Sequence, residues 1–267
     1  MERYYSPENE LIPIDNLTPQ KLNEPFVVHY TSLTTLFKIL RNGTIRFNRI
    51  DNVNDLEEKD SLIINDNYRR VFIACFSYEN SESIPMWRIY TTKETGVRLK
   101  IQLNDGYSVD DLIVNDWFDI DADRKLPVLR GIRDDGDTPW RVKLDAFRIT
   151  YVDKKSIPTT LEDKEVGGTF DVPDAFGMEK STAWKYEKEI RLRAVIRPTT
   201  LNHSSLEDIG SLFGHINFKA INKLTITFNP WMEKDDWADI LKDFVKKQKI
   251  EIPFEYRTSS LYNKIRM

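Results

Sequence analysis

Three side chains of this sequence could act on one ligand, although they lie far apart along the chain. His29 stands near the end of the apolar segment Phe26-Val27-Val28-His29-Tyr30, just before Ser32, a good helix N-cap. Glu187 and Glu189 are two residues apart, and positions i and i+2 of an extended chain share one face. Carboxylates held this close raise the pKa of one of them and can hydrogen-bond the hydroxyl or amino groups of a ligand. We therefore expect these three residues to form a site if folding brings them together.

An aromatic pair offers a second ligand-binding feature. Trp87 and Tyr90 are spaced i and i+3, which places both rings on one face of a helical turn. Such aromatic pairs usually belong to a hydrophobic core. The Tyr90 ring could instead stack on a planar heterocycle.

Each candidate also has a purely structural interpretation. A single histidine in an apolar strand is often half-buried with its ring bonded to the backbone, and the two glutamates could pair with neighbouring cations. Cys75 could act as a nucleophile with His29, but it lies inside a very apolar segment, so core packing is the stronger expectation. We expect no metal site, because Asn54-Asp55 with Glu57 and Glu58 offers too few oxygen ligands at defined spacing.

The hydrophobic pattern predicts the elements that carry these residues. A strand over 26–30 leads into a helix from Ser32 that ends at Asn42-Gly43, and a second strand follows over 44–48. Further strands are predicted at 70–77, 96–103, 146–152, 189–196, 224–228 and 252–256. Short helical turns are predicted at 84–90, and a longer helix is predicted to start at Asn229-Pro230.

This order of elements predicts an α+β fold, with a curved, mixed but mostly antiparallel sheet and peripheral helices. The chain is expected to form one domain over 1–267. Residues 1–25 are expected to wrap over the surface, and the acidic segment 104–145 is expected to be an insertion in the core.

Composition excludes several classes of protein. With 10 Gly and no glycine-rich loop, the chain has no phosphate cradle of the Walker or Rossmann type. The single cysteine rules out an internal disulfide, and the first residues lack a signal-peptide pattern, so a cytoplasmic location without membrane insertion is expected. The net charge of −4 disfavours binding to nucleic acid by electrostatics alone.

Several short motifs, taken in order, resemble the DUF2971 family, which occurs in bacterial and phage-defence contexts. The motifs run from residue 26 to about 260 and leave the middle insertion unmatched. They are His29-Tyr30-Thr31-Ser32-Leu33, Ile39-Leu40, Gly43-Thr44-Ile45-Arg46-Phe47, Asn54-Asp55-Leu56-Glu57-Glu58, Cys75-Phe76-Ser77, Met86-Trp87-Arg88-Ile89-Tyr90 with Gly96-Val97, and Trp184-Lys185-Tyr186-Glu187-Lys188-Glu189-Ile190-Arg191-Leu192.

The DUF2971 pattern is in turn similar to the ADP-ribosyltransferase superfamily, which implies NAD as substrate. In this resemblance His29 holds the NAD ribose, Tyr90 stacks on nicotinamide, and Glu189 is catalytic with Glu187 as its partner. The implied cofactor-binding residues are His29, Tyr30, Thr31, Arg46, Ser77, Trp87 and Tyr90, with no metal ligand.

The resemblance implies an NAD-dependent ADP-ribosyltransferase that acts as a toxin or phage-defence effector on a protein or nucleic-acid acceptor. It also implies an antitoxin or regulatory protein as a partner. Two alternatives stay open: a non-enzymatic ligand-sensing or partner-binding module on the same fold, and an NAD glycohydrolase, for which water is the acceptor.

Overall fold

The computed structural model describes residues 3–5, 11–13, 22, 24–55, 66–120, 140–153, 177–198, 209–232 and 235–264. Within these residues the helices are α1 (Leu33–Asn42), α2 (Ile84–Tyr90) and α3 (Asp235–Lys247). The strands are β1 (Arg3–Tyr5), β2 (Leu11–Pro13), β3 (Phe26–Ser32), β4 (Thr44–Arg49), β5 (Val71–Ser77), β6 (Gly96–Leu103), β7 (Ile113–Ile120), β8 (Trp140–Arg148), β9 (Thr150–Val152), β10 (Glu179–Ser181), β11 (Glu189–Pro198), β12 (Ser211–Ile216), β13 (Ile221–Phe228) and β14 (Phe254–Thr258).

Ten of these strands form one large mixed sheet. Its main path runs β14-β13-β6-β3-β5-β4-β12-β7, while β11 pairs with β5 and β8 pairs with β11. Every described pairing in this sheet is antiparallel except that of β13 with β14. Outside it, β1 pairs with β2 and β9 pairs with β10. The predicted α+β class, with a mostly antiparallel sheet, is confirmed.

The central strand β5 is shared by three neighbours, and this arrangement splits the sheet. One edge of β5 pairs with β11 over its whole length. On the other edge, Ser77 pairs with Val28 of β3. Four residues earlier, Ile73 pairs with Asn48 of β4. Among the described strands none pairs with residues 74–76 on this edge, so β3 and β4 diverge and leave a cleft between them.

Helices α1 and α3 pack against each other and cover one side of the sheet. The Phe37 and Phe244 rings meet edge to face with their centroids 4.7 Å apart. Helix α1 begins where the Ser32 side chain accepts a hydrogen bond from the Thr35 backbone N–H at 3.2 Å, as the N-cap pattern predicts. It ends at Gly43, whose φ of 62° is the left-handed conformation that glycine tolerates. The predicted strand–helix–strand unit at the start of the chain is confirmed.

Two predicted segments differ from the structure. The segment 104–145, expected to be an insertion, contributes β7, which pairs with β12, and most of β8, which pairs with β11. Its residues 121–139 lie outside the described part of the chain, as do most of residues 1–25. The last long helix begins at Asp235 and not at Asn229, because the Asn229 side chain accepts a hydrogen bond from the Trp231 N–H at 2.9 Å and closes a turn there.

No helix in the described ranges combines the length and the apolar character needed to cross a membrane.

Candidate functional site

The split between β3 and β4 opens a cleft of about 270 Å³, close to the lower end of the usual size range of small-molecule sites. Seven of the nine residues predicted for the site line it. They are His29, Tyr30, Arg46, Ser77, Tyr90, Glu187 and Glu189. Folding therefore brings together side chains that are up to 160 positions apart in the sequence.

His29 bridges the gap in the sheet. Its Nδ1 lies 3.1 Å from the backbone carbonyl oxygen of Cys75 on β5. Because a carbonyl oxygen only accepts hydrogen bonds, Nδ1 carries the proton, and the neutral ring presents Nε2 as an acceptor. Burial lowers the pKa of His29, although the bond to Cys75 partly opposes this, and the ring is neutral at pH 7. The imidazole is thus a fixed hydrogen-bond acceptor for a ligand hydroxyl.

The two carboxylates converge, but not through the extended geometry that the sequence predicted. Glu187 ends a 3₁₀ turn, Thr182–Glu187, and Lys188 adopts a left-handed φ of 47° before β11 begins at Glu189. The Ser77 hydroxyl holds this turn by donating to the Glu187 carbonyl oxygen at 2.7 Å. The turn and the strand start therefore aim both carboxylates at the same point.

Lys180 of β10 joins the two carboxylates. Its Nζ donates to Oε2 of Glu187 at 2.5 Å and to Oε2 of Glu189 at 3.3 Å. On the other side of the pair, Arg191 Nε donates to Oε1 of Glu189 at 2.7 Å. The Tyr90 hydroxyl donates to Oε1 of Glu187. The site is a buried network in which Glu187 and Glu189 are only 4% and 3% exposed.

The network gives the two carboxyl groups opposite pKa shifts. Burial raises the pKa of Glu187, and the charge of Glu189 adds to this, while Lys180 and Tyr90 offset only part of it. For Glu189 burial acts in the same direction, but Arg191 and Lys180 outweigh it and lower the pKa to about 2. Glu189 is therefore ionised at neutral pH, and Glu187 is the carboxyl group that is more readily protonated.

The two carboxylates also differ in their free hydrogen-bonding capacity. Glu189 accepts from both Nε and Nη2 of Arg191 and from Lys180. These three hydrogen bonds occupy most of the roughly four lone-pair positions of a carboxylate. Among the described residues, Glu187 accepts only from Tyr90 and Lys180, so it retains capacity for a ligand.

Cys75 does not lie in the core as expected. Its side chain is exposed on the cleft face of β5, one residue from core residues on the opposite face. Protein atoms surround the thiol except on the open side, and this desolvation, together with the Glu189 charge, raises its pKa well above the ordinary value. The thiol is accessible but weakly ionised, which disfavours a nucleophilic role.

Two predicted residues do not line the cleft. Trp87 is 1% exposed, and its Nε1 donates to Glu82 at 3.0 Å. Its ring packs edge to face on Tyr30 at 5.0 Å, so the aromatic pair is split between core and cleft. Thr31 is buried as well and makes no wall of the cleft. Tyr30 reaches the cleft, but its hydroxyl is bound by the Ser83 N–H at 3.1 Å.

Three residues of the network escaped the sequence analysis as site residues. Lys180 lies on the short strand β10, which carries no clear hydrophobic alternation, and Tyr151 lies on β9, inside the strand predicted at 146–152. The Tyr151 hydroxyl accepts from the Glu189 backbone N–H at 2.9 Å and fixes the start of β11. Arg191 did carry a signal, because it follows Glu189 by two residues on a strand and so shares its face.

No protein-family model, no curated protein and no solved structure matches this chain. The resemblance to the DUF2971 family thus remains a prediction.

Proposed function

We propose that this cleft binds NAD and that the protein is an ADP-ribosyltransferase, with a fold like that of this superfamily. The main support is that His29, Tyr90 and the Glu187–Glu189 pair line one cleft. This is the set of side chains that cleavage of a nicotinamide–ribose bond needs: a group that orients the sugar, a ring beside the base, and an anion beside the reacting carbon.

In the proposed reaction the bond between C1′ of the ribose and nicotinamide breaks, and its electron pair leaves with neutral nicotinamide. The ribose then resembles the oxocarbenium ion of glycoside hydrolysis. The negative charge of Glu189 stabilises this cation. A nucleophile of the acceptor attacks C1′, and its proton passes to Glu187, whose raised pKa suits a base.

The binding roles follow from the same geometry. His29 Nε2 accepts a hydrogen bond from a ribose hydroxyl, and the Tyr90 ring packs on nicotinamide. Arg46 is exposed in the cleft with no partner among the described residues, which supports its assignment to the pyrophosphate. Arg49, by contrast, already forms a double ion pair with Asp51 at 2.8 and 2.9 Å.

The proposal includes a biological setting: a toxin or phage-defence effector in the cytoplasm, acting on a protein or nucleic acid and held in check by an antitoxin or regulatory protein. Its support is the motif resemblance alone, and none of these partners is needed for the cleft chemistry.

One observation favours a second candidate, a ligand-sensing module without turnover. Three hydrogen bonds already occupy most of the lone-pair positions of Glu189, and the pair is held by Lys180 and Arg191. Such a closed network also suits a site that binds a nucleotide and signals its presence. An NAD glycohydrolase would use the transferase steps with water as the nucleophile.

The test measures release of nicotinamide from labelled NAD, with and without cell extract, for wild type, Glu187→Gln and Glu189→Gln. We expect transfer of label to extract by wild type, and a loss of about 10²- to 10⁴-fold in Glu187→Gln. Glu94→Gln, an exposed glutamate outside the cleft, is the matched control and keeps full activity. Binding of NAD by wild type without release of nicotinamide would support the sensing module, and free ADP-ribose as sole product would identify a glycohydrolase.

A further inference from the structure

The two walls of the cleft differ in how far their polar groups are already satisfied. On the wall formed by β10, β11 and α2, the charged groups bond to each other, as described above for Lys180 and the two glutamates. On the opposite wall, β4 and the turn after it present Arg46, Asn48, Asn52 and Asn54. All four side chains are exposed, and no hydrogen bond ties any of them to another described residue.

From this asymmetry we infer that the three asparagines bind the adenosine half of the dinucleotide; the inference rests on the proposed function and extends it. We define Asn48, Asn52 and Asn54 as the asparagine lip. Each amide offers one acceptor and two donors. An asparagine amide matches the N7 acceptor and N6 donor of adenine, which it can bind in a bidentate manner.

The carboxylates, His29 and the asparagine lip follow one another along β5 in an order that fits the order of nicotinamide, ribose and adenosine in NAD. Ser77, at one end of the strand, pairs with Glu189 and so marks the carboxylate end. The backbone carbonyl oxygen of Cys75 accepts from His29 Nδ1, and Ile73 pairs with Asn48 at the start of the lip. Ile73 and Ser77 are four residues apart on an extended strand, so they are separated by about 13 Å. The nicotinamide riboside occupies the carboxylate end, and the adenosine lies at the lip.

Arg46 lies between these two ends. It stands two residues before Asn48 on β4, on the same face of the strand and therefore on the cleft side. A guanidinium group is the usual partner of a phosphate. Val53, half-buried between Asn52 and Asn54, adds apolar surface against which the plane of a base can pack.

Three ligands separate these assignments, and their affinities are measured by calorimetry. NAD contacts the whole cleft, nicotinamide mononucleotide lacks the adenosine, and AMP lacks the nicotinamide riboside. We expect Asn52→Ala and Asn54→Ala each to weaken NAD and AMP by about five- to tenfold, the loss of roughly one hydrogen bond. Binding of nicotinamide mononucleotide should change less than twofold. Arg46→Gln should weaken all three ligands, because each contains a phosphate.

Asn42→Ala is the matched control, because Asn42 is an exposed asparagine at the end of α1 and lies outside the cleft. We expect this variant to bind all three ligands with unchanged affinity. The inference is overturned if the lip variants weaken NAD and nicotinamide mononucleotide equally, or if they leave NAD unaffected. It is also overturned if wild type binds neither NAD nor AMP. If wild type binds AMP through the lip but releases no nicotinamide from NAD, the adenosine site stands and the transferase proposal fails.

Discussion

At the scale of the residue, two glutamates separated by one position have different electrostatic environments. Glu189 faces the guanidinium of Arg191, and its pKa falls to about 2. Glu187 faces Tyr90, a neutral donor, and burial keeps its pKa raised. Lys180 touches both, and their charges raise its pKa although burial alone would lower it. Of the two carboxyl groups, Glu189 thus keeps its charge at neutral pH, and Glu187 is the one that can change its charge.

This difference predicts opposite pH profiles of stability. A folded-state pKa of about 2 against an ordinary 4.5 means that ionised Glu189 contributes on the order of 3 kcal/mol at pH 7. This contribution is lost as the pH falls from about 4.5 towards 2. Glu187 has a raised pKa, so its ionisation makes the folded state less stable. Protonation of Glu187 at lower pH therefore restores that stability.

The measurement is urea unfolding of wild type, Glu187→Gln and Glu189→Gln at pH 7, 5 and 3. We expect Glu189→Gln to be strongly destabilised at pH 7, with the deficit shrinking at pH 3. Glu187→Gln should cost less than Glu189→Gln at pH 7. Equal losses for both variants at pH 7 would contradict the assignment of one fixed and one variable charge.

At the scale of the element, the fork in the sheet gives the two faces of β5 different roles. Ala74 points into the main hydrophobic core, and Cys75, the next residue, points into the cleft. A strand with apolar side chains on both faces is normally buried on both sides. Here β3 and β4 separate beside residues 74–76 of β5 and leave part of one face of β5 open for a ligand.

A pair of phenylalanine substitutions tests this arrangement. Ala74→Phe adds a ring to a packed core and should cost about 1–3 kcal/mol or more. Cys75→Phe adds the same ring to the open cleft, so it should cost less stability and abolish NAD binding. The readouts are the urea midpoint and calorimetric titration with NAD. If Cys75→Phe binds NAD as wild type does, the cleft is not the binding site.

At the scale of the whole molecule, one thiol reports on the cleft. The chain has a single cysteine, and it lies on the cleft face of β5. Every thiol-labelling event in the folded protein therefore occurs in the candidate site. Its rate depends on the thiolate fraction, which the raised pKa of Cys75 keeps low.

We expect iodoacetamide to label the folded protein slowly at pH 8, with a rate that still rises above pH 9. Glu189→Gln should react faster at pH 8, because loss of that charge lowers the pKa of Cys75. Saturating NAD should slow labelling of wild type, and Glu94→Gln should behave as wild type. Labelling at pH 8 as fast as in 8 M urea would show that the thiol is not in the environment described.

Local patterns in the sequence predicted the elements around the site well. The N-cap at Ser32, the left-handed turn at Gly43 and the apolar run of β5 depend on neighbouring residues only, and the structure has all three. Strands β7, β10 and β12 were missed, because they are defined by pairing with partners that are distant in sequence. The same reason explains why Lys180 was missed.

The sequence by itself determined which side chains were available for chemistry and which local elements carry them, because caps, turns and hydrophobic alternation act over a few residues. Only the tertiary structure decided that β3 and β4 diverge beside β5, that Cys75 faces a cleft and not the core, and that Lys180 joins the two carboxylates. These features arise from strand pairings between distant segments, and burial and charge then set the pKa of each group according to neighbours that no local pattern contains.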